Sequence, residues 1–83
     1  MPYQLLYTSL AQKDIKKLDS VAKKRLKSKL ELLKTDPVYY SKKLVHSDLG
    51  TYRYRVGDYR IIFDLHGKDI VTLRVGHRRE IYK

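Results

Sequence analysis

Residues 52–63, YRYRVGDYRIIF, narrow the choice of fold more than any other stretch of the chain. A Gly-Asp pair separates two runs in which apolar and basic side chains alternate. Successive side chains of an extended strand point to opposite faces, and a two-residue turn with glycine first suits a type II′ hairpin. Closing the hairpin at Gly57-Asp58 sets Val56 opposite Tyr59, Arg55 opposite Arg60, Tyr54 opposite Ile61 and Arg53 opposite Ile62. One face then carries Tyr54, Val56, Tyr59, Ile61 and Phe63 and reads as a core face. The other carries Arg53, Arg55, Arg60 and Ile62 and reads as an open face. Like charges facing each other across a strand pair are destabilising, so such a face calls for an anionic partner.

A third strand over residues 69–75 extends the pattern. With a three-residue loop, His66-Gly67-Lys68, Val71 faces Phe63, Leu73 faces Ile61, Val75 faces Tyr59, and Arg74 faces Arg60. A two-residue loop flips the strand and puts Arg74 in the core, where an unpaired charge is very costly. The longer loop is therefore expected, with four arginines on one sheet face. The closing GHRREIYK brings His77, Arg78, Arg79 and Tyr82 to the edge of that face.

Charge supports the same reading. The 83 residues carry 19 Lys plus Arg against 9 Asp plus Glu, a net charge of +10. So basic a small domain points to a polyanion, most often nucleic acid. The basic residues are also segregated: ten lysines precede residue 44, whereas six of the seven arginines lie between Arg53 and Arg79. Lysine meets phosphate as a point charge and arginine through a rigid fork of donors, so two basic surfaces of different chemistry are expected. There are no cysteines, and His46, His66 and His77 are too scattered to read as a metal site. No apolar run approaches the ~20 residues of a membrane helix. MPYQLLYTSL lacks the basic start and small-residue cleavage site of a signal peptide. A single domain spanning 1–83, cytoplasmic and away from membranes, is the expectation.

The N-terminal half reads as helical after a short strand, YQLLY (3–7). Ser9 and Gln12 form a capping-box pattern, and Ala11, Ile15 and Leu18 follow on one helical face. Asp19 or Ser20 caps a second helix with the stripe Ala22, Leu26, Leu30, Leu33. It must stop near Asp36, because Pro37 disfavours helical geometry in the residue before it. A very short turn between two amphipathic helices suggests an antiparallel pair. Residues 38–50 show no period and read as a connection anchored by Leu44 and Leu49. The fold class expected is α+β: a small antiparallel sheet, made of the N-terminal strand and a C-terminal three-stranded meander, packed against two helices.

LGTYRYRVGDYRIIF and VTLRVGHRREIYK, behind a strand and two helices, resemble the RelE toxins of toxin–antitoxin systems, within a superfamily that also holds ParE-type toxins. The resemblance covers nearly the whole chain and is most specific at RVGDYRIIF and GHRREIY. It implies a metal-free, cofactor-free endoribonuclease that cleaves mRNA in the ribosomal A site, with a cognate antitoxin, the ribosome and mRNA as partners. By position it implies catalytic roles for Arg53 and Arg55, often lysines in the family, and for Arg60, Arg78 and Tyr82; Arg74 and Arg79 are expected to contact RNA. A guanidinium is a poor base, since its pKa exceeds ~12. His77 is then a candidate to take the proton of the attacking hydroxyl, and Tyr82 the second. ParE-type toxins act on DNA gyrase instead, and a ParE-like gyrase binder or an inactive nucleic-acid-binding relative is the alternative.

Overall fold

The structure, a computed structural model, describes residues 3–44 and 51–81. In chain order the elements are β1 (Gln4–Tyr7), α1 (Ser9–Lys16), α2 (Ser20–Leu33), α3 (Pro37–Tyr40), β2 (Lys42–Lys43), β3 (Tyr52–Val56), β4 (Tyr59–His66), β5 (Asp69–His77) and α4 (Arg78–Ile81). The five strands form one sheet in the order β1-β5-β4-β3-β2. The α+β class is as expected, with two additions. β1 runs parallel to β5 rather than antiparallel, and β2 adds a short edge strand beside β3.

Local chemistry explains the helix boundaries. Thr8, not Ser9, caps α1. Its Oγ1 accepts from the Ala11 N–H at 3.1 Å and donates to the Leu73 carbonyl at 3.0 Å, so one hydroxyl starts the helix and ties it to β5. Asp19 caps α2 by accepting from the Ala22 N–H at 2.7 Å. The presumed connection after Pro37 holds α3 instead. Asp36 accepts from the Tyr39 N–H at 3.2 Å, and Pro37 occupies the first turn, where its missing N–H costs nothing. Leu44 is half-buried, whereas Leu49 lies outside the described residues.

The β3–β4 hairpin has the expected register at every pair, from Val56 opposite Tyr59 to Arg53 opposite Ile62. Gly57 has φ 60°, a left-handed conformation that costs glycine least. Leu26, Leu30 and Leu33 of α2 pack on Tyr54, Val56, Ile61, Phe63, Ile70 and Val75, with Tyr52 stacked on Phe63 at 5.4 Å between ring centroids.

The β4–β5 pairing corrects the expected one. His66 pairs with Asp69, so the loop is the two residues Gly67-Lys68. Ile70 and Thr72 therefore take the buried positions expected of Val71 and Leu73, which are only half-buried. An irregularity between Ile62 and Phe63 then shifts the register by one residue, so that Val75 faces Ile61 and Arg74 faces Ile62. A β-bulge places two residues of one strand against one of its partner. It lets the short loop coexist with a charged residue at 74, an option that the contrast between two loop lengths omits.

The bulge has a helical counterpart. Asp14 of α1 accepts from Arg74 Nε at 2.8 Å, from Arg74 Nη2 at 3.3 Å and from the Val75 N–H at 2.9 Å. Burial alone raises the Asp14 carboxyl. The hydrogen bonds from Arg74 and Val75, with the charges of Arg74 and Lys17, outweigh it and hold the group below the usual carboxylate value.

Beside the bulge, Thr72 is fully buried and its Oγ1 has no hydrogen-bond partner among the described residues. An unsatisfied buried hydroxyl costs roughly 1–3 kcal/mol. Thr72→Val keeps the shape and removes the polar atom. It is expected to raise the melting temperature by several degrees, since about 1 kcal/mol shifts Tm by roughly 4–8 °C in a domain of this size. An unchanged or lower Tm in calorimetry means that the hydroxyl is satisfied.

Candidate functional site

Strand alternation brings Arg53 and Arg55 of β3 to the same side as Arg60 of β4. The neighbouring edge strand adds Lys42, paired with Arg53. Together with Tyr40 at the end of α3, these side chains line a cavity of about 200 Å³. Among the described residues four cations and no carboxylate line it, which is an arrangement suited to a phosphodiester.

The three arginines are not equivalent, and the face is less open than expected. Arg60 is 8% exposed and Ile62 beside it fully buried. The Arg60 Nη1 donates to the carbonyls of Gly57 at 2.9 Å and Tyr59 at 3.0 Å. The turn thereby grips one nitrogen, while Nε and Nη2 have no partner among the described residues. A guanidinium held this way presents the rest of its fork without reorganising. Arg55, directly opposite, is exposed. Arg53 is half-buried.

The C-terminal segment divides differently from the expectation that it joins this face. Arg78 sits at the hairpin turn: its N–H donates to the Asp58 carbonyl at 2.8 Å, and its Nε lies 3.9 Å from Asp58 Oδ1. His77 pairs across the sheet with Tyr59, at 5.8 Å between ring centroids. It lines a separate cavity with Asp14, Lys17, Leu18, Tyr59 and Arg74, on the side opposite the arginine pocket. Its Nδ1 accepts from the Arg79 N–H at 3.2 Å, so His77 caps the short α4. Arg74 is drawn to Asp14 instead of facing Arg60. Arg79 is exposed on α4. Tyr82 lies outside the described residues.

Tyr40 and Lys42 are the site residues that sequence reasoning missed. The Asp36-Pro37 pair is an N-cap followed by a favoured first-turn residue, a signal that a helix restarts there. Lys42 carried no comparable signal, because its place depends on pairing with a strand further along the chain. Among the described residues no group of three or more His, Asp or Glu side chains is disposed to hold a metal ion, and no helix is long and apolar enough to cross a membrane.

A small mixed sheet, helices joined to it, and a cationic pocket beside the β3–β4 hairpin define the class to compare. The family model described as the ParE toxin of the type II toxin–antitoxin system parDE matches residues 5–82, and the chain belongs to this family of toxins, within the RelE/ParE superfamily. It is similar to the toxin RelG of Mycobacterium tuberculosis, with 32% identity over all of this chain and 99% of that one. Two solved structures are also similar. One is the toxin–antitoxin complex RelBE2 from Mycobacterium tuberculosis, with TM-score 0.78, 30% identity, and 94% of this chain and 100% of that chain covered. The other is the RelB–RelE antitoxin–toxin complex from Methanococcus jannaschii, with TM-score 0.73, 31% identity, and 93% and 94% covered.

Proposed function

We propose that this toxin is a metal-free endoribonuclease that cleaves mRNA in the ribosomal A site and so inhibits translation. The observation that carries the reading is the convergence of Arg53, Arg55, Arg60 and Lys42 on one pocket. In the reaction the 2′-hydroxyl of one nucleotide attacks the adjacent phosphate. The hydroxyl proton passes to a base, the 5′-oxygen leaves and takes up a proton, and the ends are a 2′,3′-cyclic phosphate and a 5′-hydroxyl. Charge accumulates on the non-bridging oxygens, and preorganised donors aimed at it supply much of the rate. Arg60, gripped at Nη1, is the best prepared of these donors; Arg53 and Arg55 flank it. Arg78, held at the hairpin turn by Asp58, and Arg79, exposed on α4, are available to the RNA backbone. Tyr82 keeps the role that family resemblance gives it, at the cleaved nucleotide. An RNA contact by Arg74 has to compete with Asp14.

The proton of the 2′-hydroxyl needs an acceptor. His77 Nδ1 already accepts a backbone N–H, and the ring lies across the sheet from the arginine pocket. His77→Gln is therefore expected to slow single-turnover cleavage only modestly, by loosening α4 and Arg78. If the variant instead loses cleavage by orders of magnitude while binding the ribosome as the parent does, His77 is the base after all.

The partner in resting cells is a cognate antitoxin, a reading supported by similarity to toxins solved in toxin–antitoxin complexes. It would act where ribosomes are, in the cytoplasm. A second reading, inhibition of DNA gyrase, is favoured by the ParE description of the matching family. Mapping mRNA 5′ ends on translating ribosomes separates the two. New ends inside A-site codons support the nuclease; intact mRNA with stalled replication supports gyrase inhibition.

A further inference from the structure

The phosphate pocket has an aromatic wall that nothing in the reaction above uses. Tyr40 lines the same cavity of about 200 Å³ as Arg53, Arg55, Arg60 and Lys42. Tyr40 is 37% exposed. Tyr39 packs edge-on against it, with centroids 4.9 Å apart and planes at 86°, which steadies the ring. The tyrosines of β3 and β4 are engaged elsewhere: Tyr54 is buried, Tyr52 stacks on Phe63, and Tyr59 meets His77. The backbone holds Tyr40 in place from both sides. Asp36 caps the start of α3, Ser41 Oγ donates to the Pro37 carbonyl, and two residues beyond Tyr40 the Lys42–Arg53 pair joins the sheet.

Resting on the phosphate-binding reading of this pocket, we propose that Tyr40 is the platform on which a base of the bound single-stranded RNA stacks, with Lys42 as a further phosphate contact. Single-strand binding sites combine a cationic track for the backbone with aromatic rings for the bases, and the stacking tolerates any base because every base has a π-face. Tyr40 supplies that ring at the α3 end of the pocket, independently of the C-terminal segment. The consequence is a division of labour: Arg53, Arg55, Arg60 and Lys42 hold the phosphate, and Tyr40 sets where the adjoining base lies.

The test is a fluorescence titration at low salt of a short single-stranded RNA carrying 2-aminopurine, using the whole protein. The parent is expected to bind and to quench the probe by stacking. Tyr40→Phe keeps both properties. Tyr40→Ala weakens binding about tenfold and loses the quenching, with the salt dependence of binding unchanged because no phosphate contact is lost. Lys42→Ala keeps the quenching but lowers the slope of log affinity against log salt by about 0.7, the value for one phosphate contact on a single strand. A Tyr40→Ala variant with the parent's affinity and quenching overturns the stacking role. Failure of the phosphate reading shows separately: Arg55→Ala then binds RNA with the parent's affinity and salt slope. A parent that binds no RNA overturns both.

Discussion

Replacing Arg55 with alanine is expected to lower the single-turnover cleavage rate by about 10²–10³, the usual cost of losing one preorganised donor at a developing oxyanion. Stability should not fall with it. Arg55 is exposed and faces Arg60 across the strand pair, so its loss relieves a like-charge contact, and surface changes of this kind stay within about 0.5 kcal/mol. Arg60→Ala tests the other half of the argument. It should lose as much rate and also lower Tm by several degrees, because two hydrogen bonds from the buried guanidinium to Gly57 and Tyr59 vanish, a loss of roughly 1–3 kcal/mol. Melting curves and cleavage rates measured side by side decide the matter. If Arg55→Ala cleaves at the parent rate, the pocket is not the reaction centre. If Arg60→Ala loses activity only in proportion to its unfolded fraction, Arg60 is structural.

Asp14→Asn carries the second large effect, on stability and its pH dependence. The carboxylate binds Arg74 and the Val75 N–H at the bulge, and its side chain is 11% exposed. Losing charge-assisted hydrogen bonds of this kind costs about 2–3 kcal/mol, which is a large share of the ~5–15 kcal/mol that holds a domain together. The sign follows from the direction of the shift. The folded carboxyl titrates below its unfolded value, which is ~3.9 for aspartate. Its contribution is therefore fully present above about pH 5 and is lost as the pH falls through the lowered folded value. Urea unfolding should show parent and variant far apart at pH 7 and converging below about pH 4. A gap of constant size down to pH 2.5 would mean that the charge of Asp14 is not what ties α1 to β5.

The hairpin was legible because two local facts coincided. Glycine first in a two-residue turn set the register, and strict alternation told the faces apart. Every pair from Val56–Tyr59 to Arg53–Ile62 follows from those two facts alone. The helical stripe was equally local: Leu26, Leu30 and Leu33 recur at helical spacing and all three are buried. The cap of α1 was off by one residue, because Thr8 has a second partner, the Leu73 carbonyl, that lies far away in sequence.

The arginine site was legible in its residues but not in its shape. Arg53, Arg55 and Arg60 were placed on one side by alternation. Their fourth member was expected to be Arg74 and is Lys42. The bulge opposite Ile62 and Phe63 sets Arg74 beside Ile62, still on the arginine face, and the Asp14 carboxylate of α1 then draws its guanidinium away from Arg60. Short-range alternation has no means of foreseeing a bulge whose compensation, a carboxylate receiving both the guanidinium and the spare N–H, lies 60 residues away. His77, two residues beyond buried Val75 and paired with Tyr59, shares the core face and so lies on the opposite side of the sheet from the pocket.

What the sequence determined by itself is therefore whatever depends on neighbours along the chain: the excess of positive charge, the hairpin, the buried stripes and the segregation of arginine from lysine. The tertiary structure alone decided which of those charges meet. A strand's register is set by hydrogen bonds to partners distant in sequence, and one inserted residue reverses every face beyond it. Lys42 reached the pocket by pairing with Arg53, and Arg74 was drawn from it by the Asp14 carboxylate.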